Sequence, residues 1–139
     1  MISTVLLTMA IQYLNVPYVW GGNNYNGLDC SGFVLKTLSD VGILLPDMTA
    51  KSIYNWSFDQ KEFYETEPKA DCLLFFGQNF DNISHVAIAI NEKYMIESGG
   101  AGQNSLAMSQ EDLARIDARV RIKPIHNRKD LLACIKITY

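Results

Sequence analysis

Residues 17–34 constrain the fold of this chain more than any other stretch. Their sequence is PYVWGGNNYNGLDCSGFV, in which two glycines and a run of Asn and Gly turn formers lead to Asp29-Cys30-Ser31. Apolar residues then recur at helical spacing, and this pattern predicts a helix over 31–41. Cys30 is therefore expected at a loop-to-helix junction, where free backbone N–H groups and the helix dipole favour a thiolate. We infer that Cys30 is a candidate nucleophile.

The amino-acid composition restricts the class of protein to which this chain can belong. The chain has 139 residues, of which 48% are hydrophobic and 19% charged, and its formal net charge is −3. One folded domain over residues 1–139 is expected, and the acidic balance argues against a nucleic-acid partner. The other two cysteines, Cys72 and Cys134, lie in apolar runs without metal-ligand spacing, so we expect them to be buried. No metal or cofactor is expected.

The first fifteen residues could be mistaken for a targeting segment. They lack a basic start and a cleavage site of small residues, and they are too short and too polar at their end to cross a membrane. We predict an amphipathic helix over 2–14, with no signal peptide and no membrane span. The chain is then expected to be cytoplasmic as synthesised and, if it acts outside the cell, to be delivered by other machinery.

The remaining pattern predicts an α+β fold, with N-terminal helices packed on an antiparallel sheet. Residues 43–70 are expected to be mostly loop and short helix, and 109–116 to be a helix with a capping box at Ser109. The tail, 129–139, is compatible with a helix or a last strand. The alternation of polar and apolar residues over 119–123 indicates one solvated face. Strands are predicted over 73–76, 85–90, 93–98 and 119–123.

A nucleophilic cysteine needs a base, and the chain has two histidines. His85 opens a strand after a polar loop, where its side chain can face a cleft. His126 lies in a charged turn and is expected to be an ordinary surface residue. Glu97 lies on the next strand of a short hairpin, where its carboxylate can accept the ring N–H of His85 and orient the imidazole.

These motifs resemble the NlpC/P60 family of cysteine peptidases. The resemblance rests on YVWGG at 18–22, DCSGFV at 29–34 and SHVAI at 84–88, in this order. It implies a compact papain-like α+β fold. It also implies cleavage of the peptide stems of bacterial cell walls, commonly at the bond between γ-D-glutamate and a diamino acid.

The resemblance also assigns roles to individual residues. Cys30 matches the nucleophile, His85 the base and Glu97 the third polar position, which is more usually His, Asn or Gln in this family. Tyr18 matches a tyrosine that lines the site and helps to hold the oxyanion, and Asp29 an acidic residue that contacts the free amine of the substrate. Backbone N–H groups next to Cys30, near Ser31, complete the expected substrate and oxyanion contacts.

The leading hypothesis is therefore a cysteine endopeptidase that opens peptidoglycan stem peptides through a thioester. A second hypothesis is a cysteine amidase or acyltransferase that acts on another substrate, with a more apolar cleft. A third is a virion or wall-binding component that keeps the fold without catalysis. Without a signal peptide or wall-binding repeats, the chain resembles phage-type members, so a phage tail or delivery machinery is an expected partner.

Overall fold

The computed structural model describes residues 4–61 and 67–139 in full and the backbone of residues 62–65. Over these residues the helices are α1 (Val5–Ile11), α2 (Cys30–Asp40), α3 (Ala50–Asp59) and α4 (Gln110–Arg115). The strands are β1 (Asn23–Asn24), β2 (Gly27–Leu28), β3 (Lys61–Glu65), β4 (Leu73–Gly77), β5 (Ile83–Ala89), β6 (Tyr94–Gly99), β7 (Arg119–Pro124) and β8 (Leu131–Ile137). Short 3-10 turns occupy Gly102–Ala107 and Ile125–Asn127. Among the described residues, every helix is too short or too polar to cross a bilayer.

The first helix is shorter than the predicted span of 2–14. Residues 2 and 3 lie outside the described part of the chain, and α1 ends at Ile11. The chain then turns at Asn15, which adopts a left-handed backbone conformation with φ 75°. The N–H of Asn15 donates to the carbonyl of Val120 at 2.9 Å, so the segment that leads to the glycine loop is attached to β7.

Residues 43–70 contain more regular structure than predicted. α3 is the expected short helix, and it begins where the hydroxyl of Thr49 accepts the N–H of Ser52. The strand β3 was not predicted. It pairs with β8, whose residues lie about seventy positions later in the chain, and no local pattern reveals such a partner.

The main sheet has six antiparallel strands in the order β3-β8-β4-β5-β6-β7. The predicted strands 73–76, 85–90, 93–98 and 119–123 are confirmed, with ends that differ by one or two residues. The tail is a strand, which settles the alternative left open by its sequence. It does not extend the sheet at an edge but inserts between β3 and β4, so the end of the chain lies inside the sheet.

The two faces of the sheet carry different apolar clusters. Helices α1 to α3 cover one face, where Phe33, Leu38 and Ile53 pack on Phe75, Val86 and Ile135. The alternate strand residues build a smaller cluster on the other face, which includes both Cys72 and Cys134 at 0% exposure, as predicted. The α+β class is confirmed, with an antiparallel sheet and helices on one side of it.

Candidate active site

Cys30 is the first residue of α2 and is partly exposed at the junction that the sequence predicts. The preceding residue, Asp29, caps this helix. Its Oδ1 accepts the N–H of Gly32 at 2.6 Å and the hydroxyl of Ser31 at 3.1 Å, and its Oδ2 accepts the N–H of Gly21 at 3.1 Å. One carboxylate therefore holds both the first turn of α2 and the glycine loop, so Cys30 has a defined position.

The glycine loop folds directly over the first turn of α2. A Cβ on Gly32 would lie 2.0 Å from the carbonyl oxygen of Gly22, so no larger residue fits there without moving the loop. The N–H of Asp29 donates to that same carbonyl at 3.0 Å. The hydroxyl of Ser98 on β6 donates to the carbonyl of Leu28 at 2.5 Å, and it thereby attaches the loop to the strand that carries Glu97.

The hairpin of β5 and β6 brings His85 and Glu97 into contact, as predicted. Ile88 pairs with Ile96 in this hairpin, so His85 and Glu97 lie on one face of adjacent strands. The Nε2 atom of His85 is 2.7 Å from Oε1 of Glu97, and both side chains are at least nine-tenths buried. Glu97 does not use the other ring nitrogen, Nδ1, and Cys30 lines the same cavity as His85 and raises the pKa of its imidazole.

Arg121 completes this line of contacts, and sequence reasoning missed it. It lies on β7 directly opposite Glu97, and its Nε donates to Oε2 of Glu97 at 2.9 Å. Its Nη1 donates to the carbonyls of Ile116 and Asp117, both at 2.9 Å. The alternation over 119–123 indicates a solvated face, yet the Arg121 side chain is only 17% exposed. Arg119 on this face is exposed as predicted, whereas Arg121 is not, because its side chain lies against Glu97 and the carbonyls of Ile116 and Asp117.

The charged forms of His85 and Glu97 stabilise each other. Burial alone would lower the pKa of His85, but hydrogen bonds to Cys30 and Glu97 outweigh it and raise this pKa to about 9. Burial would raise the pKa of Glu97, but its contacts with His85 and Arg121 lower this pKa to about 2. At neutral pH the site therefore holds an imidazolium next to a carboxylate.

Tyr18 is buried beside Cys30 and keeps its proton. Burial, followed by the negative charges of Cys30 and Asp29, raises the pKa of its phenol to about 12. The N–H of Tyr18 donates to the carbonyl of Ala118 at 3.0 Å, and a Cβ on Gly100 would lie 2.5 Å from the tyrosine ring. The phenol is thus an O–H donor in a fixed position next to the sulfur.

Two cavities meet at Cys30 and share Tyr18, Trp20 and Ser84 in their walls. The smaller has a volume of about 220 Å³ and is called the His85 cavity here; it is also lined by His85, Glu97, Arg121 and Arg128. The larger has a volume of about 590 Å³ and is called the Asp29 cavity; it is also lined by Asp29, Ser31, Asp47 and Thr49. The nucleophile therefore lies between a cationic side and an acidic side of one cleft.

The structure brings together the residues that the sequence nominates. Cys30, His85, Glu97 and Tyr18 line the His85 cavity, and Asp29 and Ser31 line the adjoining one. His126 is exposed outside both, as predicted. Trp20, Asp47, Arg121 and Arg128 were not nominated, because only the fold carries them to the cleft. In the described part of the chain, no three His, Cys, Asp or Glu side chains gather as metal ligands.

A cysteine, a buried histidine and a carboxylate joined in a line form the arrangement used by cysteine hydrolases. The chain belongs to the NlpC/P60 family, whose model matches residues 15–119. Protein P54 of Enterococcus faecium is 31% identical over 73% of this chain, and the gamma-D-glutamyl-L-lysine dipeptidyl-peptidase of Bacillus cereus is 33% identical over 67%. The matches cover only 19% and 27% of those two proteins, so the chain corresponds to about a quarter of their length or less.

Solved structures show the same fold. The NlpC/p60 domain of the peptidoglycan hydrolase SagA superposes with a TM-score of 0.69 at 23% identity, over 96% of this chain and 97% of that domain. The peptidoglycan hydrolase RipB of Mycobacterium tuberculosis superposes with a TM-score of 0.66 at 22% identity, over 97% of this chain and 64% of that one. The papain-like NlpC/P60 fold implied by the sequence motifs is confirmed.

Proposed function

We propose that this chain is a cysteine endopeptidase that hydrolyses the stem peptides of peptidoglycan. The observation that carries the proposal is the line of side chains from Cys30 through His85 to Glu97, which opens into one cleft. Membership of the NlpC/P60 family supports it, as do the names of the relatives. The two guanidinium groups of the His85 cavity favour a charged leaving half over the apolar substrate of the amidase alternative, whereas the Asp29 cavity is also lined by Trp20, Met48 and Ile83.

The chemistry proceeds in two steps. The Cys30 sulfur attacks the carbonyl carbon of the scissile amide, and His85 gives its proton to the amide nitrogen as the C–N bond breaks. A thioester and a free amine result. Water then attacks the thioester, His85 takes one of its protons, and the carboxylic acid leaves as the C–S bond breaks, which regenerates the thiolate. The Tyr18 hydroxyl and backbone N–H groups at the start of α2 stabilise the oxyanion in both steps.

Glu97 and Arg121 act through His85. The carboxylate holds the imidazole by Nε2, so that Nδ1 is directed at the sulfur, and it stabilises the imidazolium. Arg121 in turn holds the carboxylate by its other oxygen. We therefore assign Cys30 and His85 as catalytic residues and Glu97 and Arg121 as positioning residues.

The bond that we propose is the one between γ-D-glutamate and the diamino acid of the stem. The Asp29 cavity, with Asp29 and Asp47 in its wall, suits an acyl half that carries a free amino terminus. A dipeptide of L-alanine and γ-D-glutamate has such a terminus. The Bacillus cereus relative is named for the γ-D-glutamyl-L-lysine bond, which supports the same choice.

The test is mass spectrometry of the fragments released from purified peptidoglycan by the wild type and by Cys30→Ala and His85→Ala variants. Because each variant removes a group that forms or breaks a bond, we expect a rate loss on the order of a thousandfold or more. The matched control is His126→Ala, which removes an exposed histidine outside the cleft. Release of the same fragments at the wild-type rate by either active-site variant would contradict the proposal.

A further inference from the structure

The geometry points to Arg128 as a binding site for a carboxylate on the leaving half of the substrate. This inference rests on the proposed function, and it names a feature of the substrate that the proposed function leaves open. Arg128 lies between the second 3-10 turn and β8, away from the line of Cys30, His85 and Glu97, and no step of the proposed chemistry uses it.

The position of the leaving group follows from the position of the proton donor. The amine that leaves must take its proton from His85, so it must lie within hydrogen-bonding distance of that ring. His85 lines the smaller cavity and is not part of the wall of the Asp29 cavity. The leaving half therefore occupies the His85 cavity, and the acyl half occupies the Asp29 cavity.

Arg128 has a fixed position in the wall of the His85 cavity. Its guanidinium lies over the Phe76 ring at 4.8 Å, and that ring contacts the imidazole of His85 with 5.6 Å between ring centroids. Phe76 is itself the direct cross-strand partner of His85 and is fully buried. The guanidinium is thus separated from the proton donor by one buried aromatic ring.

Arg128 keeps donors available for a ligand. Asp130 accepts two of its N–H groups, from Nε at 3.0 Å and from Nη2 at 2.9 Å, and a guanidinium has five. The described residues give this side chain no further hydrogen bond, and it is 34% exposed. Arg121, the other guanidinium in this wall, uses three of its N–H groups on Glu97 and two carbonyls and is only 17% exposed. Arg128 is therefore the more accessible guanidinium and has the larger number of unused donors for an incoming anion.

The charge of the cavity favours a carboxylate as that anion. The wall of the His85 cavity carries three cationic side chains, His85, Arg121 and Arg128, and one carboxylate, Glu97. The wall of the Asp29 cavity carries two carboxylates, Asp29 and Asp47, and no cationic side chain among the described residues that line it. A guanidinium recognises a carboxylate by paired hydrogen bonds, so the leaving diamino acid is expected to carry a free carboxylate, either its α-carboxylate or one at the end of its side chain.

The experiment compares three tripeptides that differ only in the leaving residue after L-alanyl-γ-D-glutamate. In the first tripeptide this residue is L-lysine amide, which has no carboxylate. In the second it is L-lysine, which has an α-carboxylate. In the third it is the α-amide of diaminopimelate, whose only carboxylate lies at the end of the side chain. We expect the wild type to cleave at least one carboxylate-bearing tripeptide with a kcat/KM about tenfold or more above that of L-lysine amide. The favoured tripeptide identifies which carboxylate Arg128 binds.

In Arg128→Gln this preference should fall to about twofold or less, because the kcat/KM for the favoured tripeptide falls much further than that for L-lysine amide. Arg128→Lys should retain part of the preference, because it keeps the charge but loses the paired donors. Arg115→Gln removes the same charge from an exposed site on α4 and should leave the preference intact. The inference about Arg128 would be overturned, and the proposed function left intact, by either of two results. One is equal cleavage of all three tripeptides by the wild type; the other is an equal loss of kcat/KM on all three in Arg128→Gln. Cleavage of none would overturn the proposed function and, with it, the inference.

Discussion

At the scale of single residues, the site is defined by how each charge is compensated. His85 and Glu97 are both buried, and each would be costly to ionise alone. They lie between Cys30 and Arg121, so that His85 has Glu97 as its charged partner and Glu97 has both His85 and Arg121. These neighbours keep His85 protonated at neutral pH although its side chain is buried.

Glu97→Gln should therefore change the pH dependence as well as the rate. The wild type should lose kcat/KM on the alkaline side near pH 9, where His85 loses its proton. The variant loses one contact that raises this pKa, so its alkaline limb should move to lower pH, and kcat should fall on the order of a hundredfold. The measurement is a pH profile of kcat/KM, with the exposed Glu111→Gln as control. An alkaline limb unmoved by the substitution would argue against this role for Glu97.

The same variant has a predicted effect on stability. The pKa of His85 rises from 6.5 to about 9, so its contribution is full below pH 6.5 and is lost as the pH rises through 9. The pKa of Glu97 falls from 4.5 to about 2, so its contribution is full above pH 4.5 and is lost as the pH falls through 2. The destabilisation by Glu97→Gln should thus be largest between about pH 4.5 and 6.5, as measured by thermal unfolding.

At the scale of elements, the start of α2 has two roles. Asp29 caps the helix, and it also lines the cavity assigned to the acyl half of the substrate. Sequence reasoning proposed only the second role, through a contact with the substrate amine. An N-cap carboxylate that accepts three hydrogen bonds is already well occupied, so the two roles must be separated by experiment.

Asp29→Asn and Asp29→Ala separate these roles. Asn keeps an acceptor oxygen at the N-cap, so its free energy of unfolding should stay within about 0.5 kcal/mol of the wild type, whereas Ala should lose about 1 kcal/mol. If the carboxylate binds the substrate amine, Asn should raise KM for the free-amine tripeptide L-alanyl-γ-D-glutamyl-L-lysine by up to about tenfold and leave that for its N-acetylated form unchanged. An equal effect of Asn on both substrates would show that Asp29 acts on the helix alone.

At the scale of the whole molecule, one buried cluster joins three distant parts of the chain. Asp71 accepts the N–H of Leu7 at 2.7 Å and the ammonium of Lys136 at 2.9 Å, and it also accepts the hydroxyl of Tyr139. The same tyrosine oxygen accepts the N–H of Leu6 at 3.0 Å. Burial would lower the pKa of Lys136, but its bond to Asp71 raises it. The start of α1 and the last strand are thus held together through a buried carboxylate.

Lys136→Met should be strongly destabilising, because it leaves the carboxylate of Asp71 buried without its cation. The expected loss is about 3–5 kcal/mol in the free energy of unfolding by urea, and adding Asp71→Asn should restore part of it. Lys129→Met, at an exposed position, should stay within about 0.5 kcal/mol. A Lys136→Met protein as stable as this control would show that the cluster does not hold the fold together.

Part of the site can be predicted from the sequence because its signals are local. The glycine loop and the apolar helix pattern lie within about twenty-five residues and place Cys30 at a helix start. His85 and Glu97 belong to one short hairpin, whose register follows from its turn. The role of Arg121 could not be predicted in this way. In a strand that alternates polar and apolar residues, the sequence pattern is the same whether an arginine faces water or a carboxylate.

The sequence by itself determined the local elements: the cysteine at the start of α2, the strands β4 to β7 and the α+β class. These depend on periodicity and turn chemistry, which act between near neighbours. Only the tertiary structure decided that β8 inserts between β3 and β4, that Arg121 holds Glu97, and that Arg128 lines the same cavity as His85. Those contacts join residues far apart in the chain, and a strand or a charged side chain selects its partner from the whole fold.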